Sequence, residues 1–209
     1  MRHSWTFGRI AAALFAAGLL APAGTPPARA GVAEGIAAYK AQDYATALRA
    51  FRAEAERGVA EAQFYLGWMY DNATGVEHDD AEAARWYRHA AEQGYAPAQH
   101  YLGLLYADGE GVGQDLAQAE TWFHRAALQG NPGAQYALGV MYRDGVVVEK
   151  DPVEALKWLT LSTAAGGPEE SDAEEARDDL ARSLTPEQQA EAERRVRDWH
   201  PVPERPARP

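Results

Sequence analysis

Side chains able to do chemistry are few in this chain, and their spacing does not suit it. Beyond residue 30 there are five histidines, His78, His89, His100, His124 and His200, and three serines, Ser162, Ser171 and Ser183. No two histidines stand at the His-x-x-x-His interval that would aim two imidazoles from one helix face at a zinc ion, and the chain has no cysteine to complete such a site. No serine begins a Ser-x-x-Lys or sits in a Gly-x-Ser-x-Gly turn, so none has an activating base at a recognised spacing. "GEGVGQD" at 109–115 has the glycine content of a phosphate loop but lacks the third glycine and the lysine that follows. Its counterparts "TGVEHD" and "VVVEKD" are not glycine-rich, and all three read as turns. His89 and His124 sit among charged neighbours and read as solvated. The reading is a protein without catalytic residues, metal or cofactor.

Composition narrows the partners. The 20 basic and 31 acidic residues give a net charge of −11. "MRHSWTFGR", then the apolar "IAAALFAAGLLAPAG", then "ARA" at 28–30 has the order of a secretory signal, with cleavage expected after Ala30. The apolar run is short for a membrane span, and without cysteine there is no lipid-anchored alternative. The leader carries Arg2, Arg9 and Arg29 and no acid, so the mature chain has 17 basic against 31 acidic residues, net −14. Such a surface repels nucleic-acid phosphates and anionic lipid heads. A periplasmic or secreted protein is expected, with no nucleic acid bound and no membrane insertion once the signal is removed. Its fold must be held by packing alone.

The elements that organise these residues repeat. Gly58, Gly94, Gly130 and Gly166 are 36 apart, as are Trp86, Trp122 and Trp158, and Asp43, Asp79, Asp115 and Asp151. Ala62, Leu66, Gly67 and Tyr70 recur as Ala98, Leu102, Gly103 and Tyr106, and as Ala134, Leu138, Gly139 and Tyr142. A period of this size signals stacked two-helix units, each burying its neighbour's apolar face. The aspartates stand where a second helix begins, and Glu82, Gln118 and Glu154 three residues on suggest capping boxes. The periodic glycines at 58 to 166 end those helices. Gly67, Gly103 and Gly139 fall mid-helix, where glycine costs about 1 kcal/mol against alanine, so close helix approach must compensate.

"AQFYLGWMYDNATGVEHDDAEAARWYRHAAEQG" and its two successors resemble the Sel-one-like repeat, the 36-residue branch of the tetratricopeptide superfamily. The shared pattern is Ala…Leu-Gly-x-x-Tyr…Gly-Val…Asp…Ala-x-x-Trp…Ala-Ala-x-x-Gly. The third copy departs at Val147, in place of a glycine, and at Ser162 and Thr163, in place of alanines. The resemblance implies an all-α, right-handed solenoid of antiparallel helix pairs. An abbreviated leading unit is expected at 31–58 and full repeats at 59–94, 95–130 and 131–166. Two capping helices at 167–199 and a disordered proline-rich tail at 200–209 follow. Some cysteine-rich secreted relatives bind or hydrolyse β-lactams; their cysteines are missing here. A cell-wall hydrolase or β-lactam-binding enzyme is therefore the competing class, and a passive envelope spacer the third.

Function is then expected at surface positions that vary between copies. On a helical wheel the arc opposite Ala62, Leu66, Gly67 and Tyr70 carries Phe64, Tyr65 and Trp68, then His100, Tyr101 and Leu104, then Tyr136, Val140 and Arg143. In solenoids of the resembling type, leading helices line the concave wall. These nine residues are the candidate contacts for a protein or peptide partner, with Tyr65 and Tyr101 alternatively packed against the preceding unit. A monomer acting as adaptor or regulator is the expectation.

Overall fold

The computed structural model describes residues 27–167 and 169–204. Most of the expected leader, Pro168 and residues 205–209 lie outside them. The described residues form ten helices: α1 (Pro27–Lys40), α2 (Tyr44–Glu56), α3 (Ala60–Asp71), α4 (Asp80–Glu92), α5 (Ala96–Asp108), α6 (Leu116–Leu128), α7 (Pro132–Asp144), α8 (Pro152–Ala165), α9 (Glu170–Ser183) and α10 (Pro186–Asp198). Consecutive helices from α1 to α9 pack on one another, and α10 folds back onto α8. The chain is an all-α solenoid. Helix α1 runs through the expected cleavage point after Ala30.

The periodic aspartates start the second helices. Asp43, Asp79, Asp115 and Asp151 each accept a backbone N–H three residues on, at 3.0–3.1 Å. These bonds satisfy donors with no helical partner. The reciprocal half of the expected capping box is not formed there, because Glu82 pairs with Arg85 and Glu154 with Lys157 and Arg195. A complete box occurs at Thr185 and Gln188, opening α10. Pro97 and Pro132 lie in the first turns of α5 and α7.

The mid-helix glycines are where helices touch. A Cβ built on Gly103 would lie 2.6 Å from Phe123 Cε1, one on Gly67 2.8 Å from Tyr87 Cδ1, and one on Gly139 2.7 Å from Leu159 Cγ. The gain from this approach is the burial of Tyr87, Phe123 and Leu159, all fully enclosed. The turns repeat as well, with Asp79, Asp115 and Asp151 N–H groups bonded to the Tyr70, Tyr106 and Tyr142 carbonyls. Val147 fills the place held by Gly75 and Gly111 and keeps their left-handed backbone, at φ 66°. A β-branched residue is strained there by about 1–2 kcal/mol. Val147 is 52% exposed, so no packing offsets the strain. Val147→Gly should raise the midpoint of urea unfolding, with a gain of about 1 kcal/mol after glycine's own entropy cost.

The repeated tryptophans face inward to different degrees. Trp158 and Trp122 are buried, and Trp86 is half-buried under Arg85, whose guanidinium lies 4.8 Å from the ring. At the carboxyl end the expected disordered tail is not what is found over residues 200–204. Val202 N–H donates to Leu128 O at 2.8 Å, and the Glu204 carboxylate meets Arg125 and Gln99. Prolines restrict this segment's backbone, and those bonds fix it. The remaining tail positions, 205–209, lie outside the described residues.

Candidate partner-binding face

The nine candidate residues separate into those the stack covers and those it leaves at the surface. Phe64, Trp68, His100 and Val140 are buried. This corrects the expectation that they line an open groove. A leading helix in a stack has neighbours on two sides, so the arc facing away from its own second helix meets the next unit. Phe64 has the rings of Tyr87, Tyr95 and Tyr101 within 5.5–5.7 Å, and Trp68 stands edge-on to Tyr101 at 5.2 Å. Trp68 Nε1 also donates to Tyr39 Oη at 3.1 Å. Trp68→Ala would thus open a hole in the core and could not report on binding alone.

His100 occupies the same repeat position as Phe64 and is covered by the next unit. Its ring lies 5.9 Å from Phe123, and a Cβ on Gly133 would come 2.5 Å from its Cε1. Burial pushes the imidazole down to about 4, so it is neutral near pH 7. The third residue of this column, Tyr136, is only half-buried. It faces α9, where the repeat register has ended.

What stays at the surface of the leading helices is a set of tyrosine edges. Tyr65, Tyr101, Leu104, Tyr136 and Arg143 are half-buried, and Tyr95, which spacing did not single out, joins them. Tyr65 stacks on Phe51 at 4.8 Å, with planes 10° apart. Burial, followed by nearby carboxylates, raises the phenol pKa of Tyr65, Tyr95, Tyr101 and Tyr136. The carboxylates are Glu61 for Tyr65 and Tyr95, Asp71 and Glu169 for Tyr101, and Asp172, Glu169 and Glu175 for Tyr136. Arg143 is engaged by Asp144 through two bonds of 2.7 and 2.9 Å, which raises its pKa against the opposing effect of burial. The face is therefore aromatic, neutral at the phenols and acidic around them. It offers stacking, phenol hydrogen bonds and attraction for cations. Among the described residues no group of three or more His, Cys, Asp or Glu side chains could hold a metal ion.

The periodic glutamines were also missed. Gln63, Gln99 and Gln135 are buried, and each donates Nε2–H to the carbonyl eight residues earlier, on Ala55, Ala91 and Ala127, at 3.0–3.2 Å. They close the open end of the preceding second helix. Gln93 and Gln129 donate in turn to Gln63 and Gln99 Oε1 at 2.7 and 2.8 Å. The repeated "AQ" after each inter-unit turn was their visible trace. Ala165 stands where a third donor would be, and Gln135 Oε1 has no partner.

A family model for the Sel1 repeat matches residues 60–95, 96–131 and 132–167, in register with the helix pairs α3–α4, α5–α6 and α7–α8. The chain belongs to the Sel1 repeat family. Solved Sel1 structures agree with this fold. A Sel1 repeat protein from Oxalobacter formigenes is 33% identical with a TM-score of 0.64, over 68% of this chain and 56% of that one. A protective antigen from uropathogenic Escherichia coli strains, displaying an SLR fold, is 36% identical with a TM-score of 0.54, over 68% of this chain and 34% of that one. The chain thus spans about half and a third of those two proteins. Among curated proteins none matches. Sel1 repeat proteins are in general non-catalytic scaffolds for protein–protein interaction. No described helix is long and apolar enough to cross a membrane.

Proposed function

We propose that this Sel1 repeat protein is an exported, monomeric, non-catalytic adaptor that holds a basic or neutral partner protein on the leading-helix face. The observation that carries this is the tyrosine stripe, Tyr65, Tyr95, Tyr101 and Tyr136, half-buried and bordered by Glu61, Asp71, Glu169 and Asp172. Such rings are rigid, so contact with them costs little conformational entropy. Leu104, Val140 and Arg143 complete the candidate set, with Val140 acting from beneath the surface.

Export is supported at the other end of the molecule. Glu54 is 5% exposed, and its Oε2 has no hydrogen-bond partner. Gly31 lies against this carboxylate: a Cβ on Gly31 would be 2.8 Å from Glu54 Cγ. Cleavage after Ala30 would create an α-ammonium group at Gly31, a second cation for a buried carboxylate whose Oε1 is bonded to Arg57 at 3.1 Å and whose Oε2 has no partner.

A photoreactive phenylalanine analogue placed at Tyr136 should crosslink the partner, whereas the same analogue at the exposed Thr121 of α6 should not. The yield at Tyr136 should fall as salt rises, because exposed carboxylates draw the partner in. Equal adducts from both positions would remove the assignment to this face. Amino-terminal sequencing of protein recovered from the cell envelope should begin at Gly31; an intact Met1 end would overturn export.

A further inference from the structure

The segment after α10 makes contacts that repeat stacking does not require. It runs back over the ends of the second helices, against the order of the units. Trp199 stands edge-on to Trp158 at 6.5 Å, and its Cη2 is 3.6 Å from where a Cβ of Gly130 would be. Val202 N–H then caps the Leu128 carbonyl at the end of α6. Beyond it the Glu204 carboxylate accepts bonds from Arg125, through Nε at 3.3 Å and through Nη2, and from Gln99 Nε2 at 2.6 Å.

The receiving groups are held independently of this segment. Arg125 lies over the Trp122 ring at 4.4 Å and donates to Ala91 O at 3.3 Å. Gln99 is fully buried and is fixed by Ala91 O and Gln129. Gly94 and Gly130 leave a floor without side chains, and a Cβ on Gly94 would meet Glu204 Cβ at 3.2 Å. Burial would raise the Glu204 pKa, but the bonds from Arg125 and Gln99 and the guanidinium charge outweigh it and lower the carboxyl. One unit earlier the equivalent Gly58 has open space above it.

We propose that this strip is a second docking site, for an extended peptide bearing an aromatic residue and a carboxylate five positions later, and that Trp199–Glu204 of the chain itself occupies it until such a partner displaces it. The site lies on the second-helix ends and selects an anion, so it is distinct from the acidic tyrosine face. Tethering to α10 gives the internal segment a high effective concentration, so a partner must outcompete it.

The test uses a fluorescent peptide copying residues 198–206 and the mature chain from residue 31, read by anisotropy. Glu204→Lys places two cations together and should free the strip, so the peptide should bind about tenfold more tightly than to wild type. That is the weakening imposed by a site about 90% occupied from within. Arg125→Glu added to Glu204→Lys should abolish binding of this peptide, because the new carboxylate repels the peptide's glutamate and pairs with the lysine introduced into the chain's own segment. Circular dichroism establishes that each variant is folded. Equal affinity for wild type and Glu204→Lys, or indifference to Arg125→Glu, would overturn the proposal. So would a concentration-dependent dimer in sedimentation, with the segment seated on a second copy.

Discussion

Replacing Trp158 with alanine should lower the free energy of unfolding by about 3–5 kcal/mol, the range for truncating a fully buried aromatic residue. Trp158 is 2% exposed, belongs to one buried cluster with Ala126 and Ala127 of α6 and Leu161 of its own helix, and stands edge-on to Trp199. Lys157 Nζ sits 4.0 Å from its ring centroid and is held by Glu154. The residue therefore joins the third unit to the second and to the end of α10. Stability in a solenoid is a sum of unit and interface contributions, so losing such a junction weakens everything beyond it. Trp86 has the same repeat position but is only partly buried. Its alanine variant should lose less, because less apolar area leaves the core. Urea unfolding of both variants reads the comparison directly. A larger loss at Trp86 would contradict the packing described.

Acidification should destabilise the protein through His100. Burial between Tyr101, Phe123 and Gly133 holds the imidazole at about 4, below its ordinary value of 6.5. The unfolded chain therefore binds this proton more readily than the folded one. The contribution is complete above pH 6.5, declines as the pH falls, and is gone once the pH has passed through about 4. Its full size is about 3 kcal/mol, an order-of-magnitude figure from the shift. His100→Gln keeps a polar side chain without the titration. The difference in stability between wild type and this variant, followed from pH 7.5 to 4, should change by about that amount. A constant difference would mean that His100 is accessible to water.

The solenoid was legible because its signals are one-dimensional: a 36-residue spacing of glycine, tryptophan and aspartate needs no tertiary knowledge. The candidate face was legible only in part. The wheel separates the arc of α3 that carries the repeated Ala62, Leu66, Gly67 and Tyr70 from the opposite arc, and so picks out Phe64 and Trp68. It does not show that α5 arrives on that second arc and covers them. Tyr136 stays accessible for a reason visible only at the boundary, where α9 replaces a further repeat. Tyr95 lies at an inter-unit turn, off the helical pattern, and only its packing on Phe64 places it in the stripe. The docked segment had no sequence signal, since "HPVPE" has the composition of a loose tail; its order comes from Arg125, Gln99 and the end of α6.

Hydroxyl-radical footprinting of tyrosines, with and without the partner recovered by crosslinking, tests the central claim within a single molecule. Tyr65, Tyr95, Tyr101 and Tyr136 edge the leading-helix face, whereas Tyr70 and Tyr106 direct their hydroxyls to Arg52 and Arg88 of the second helices. Partner binding should protect the first group and leave the second unchanged. Protection of Tyr70 and Tyr106 with none at Tyr101 and Tyr136 would contradict the assignment.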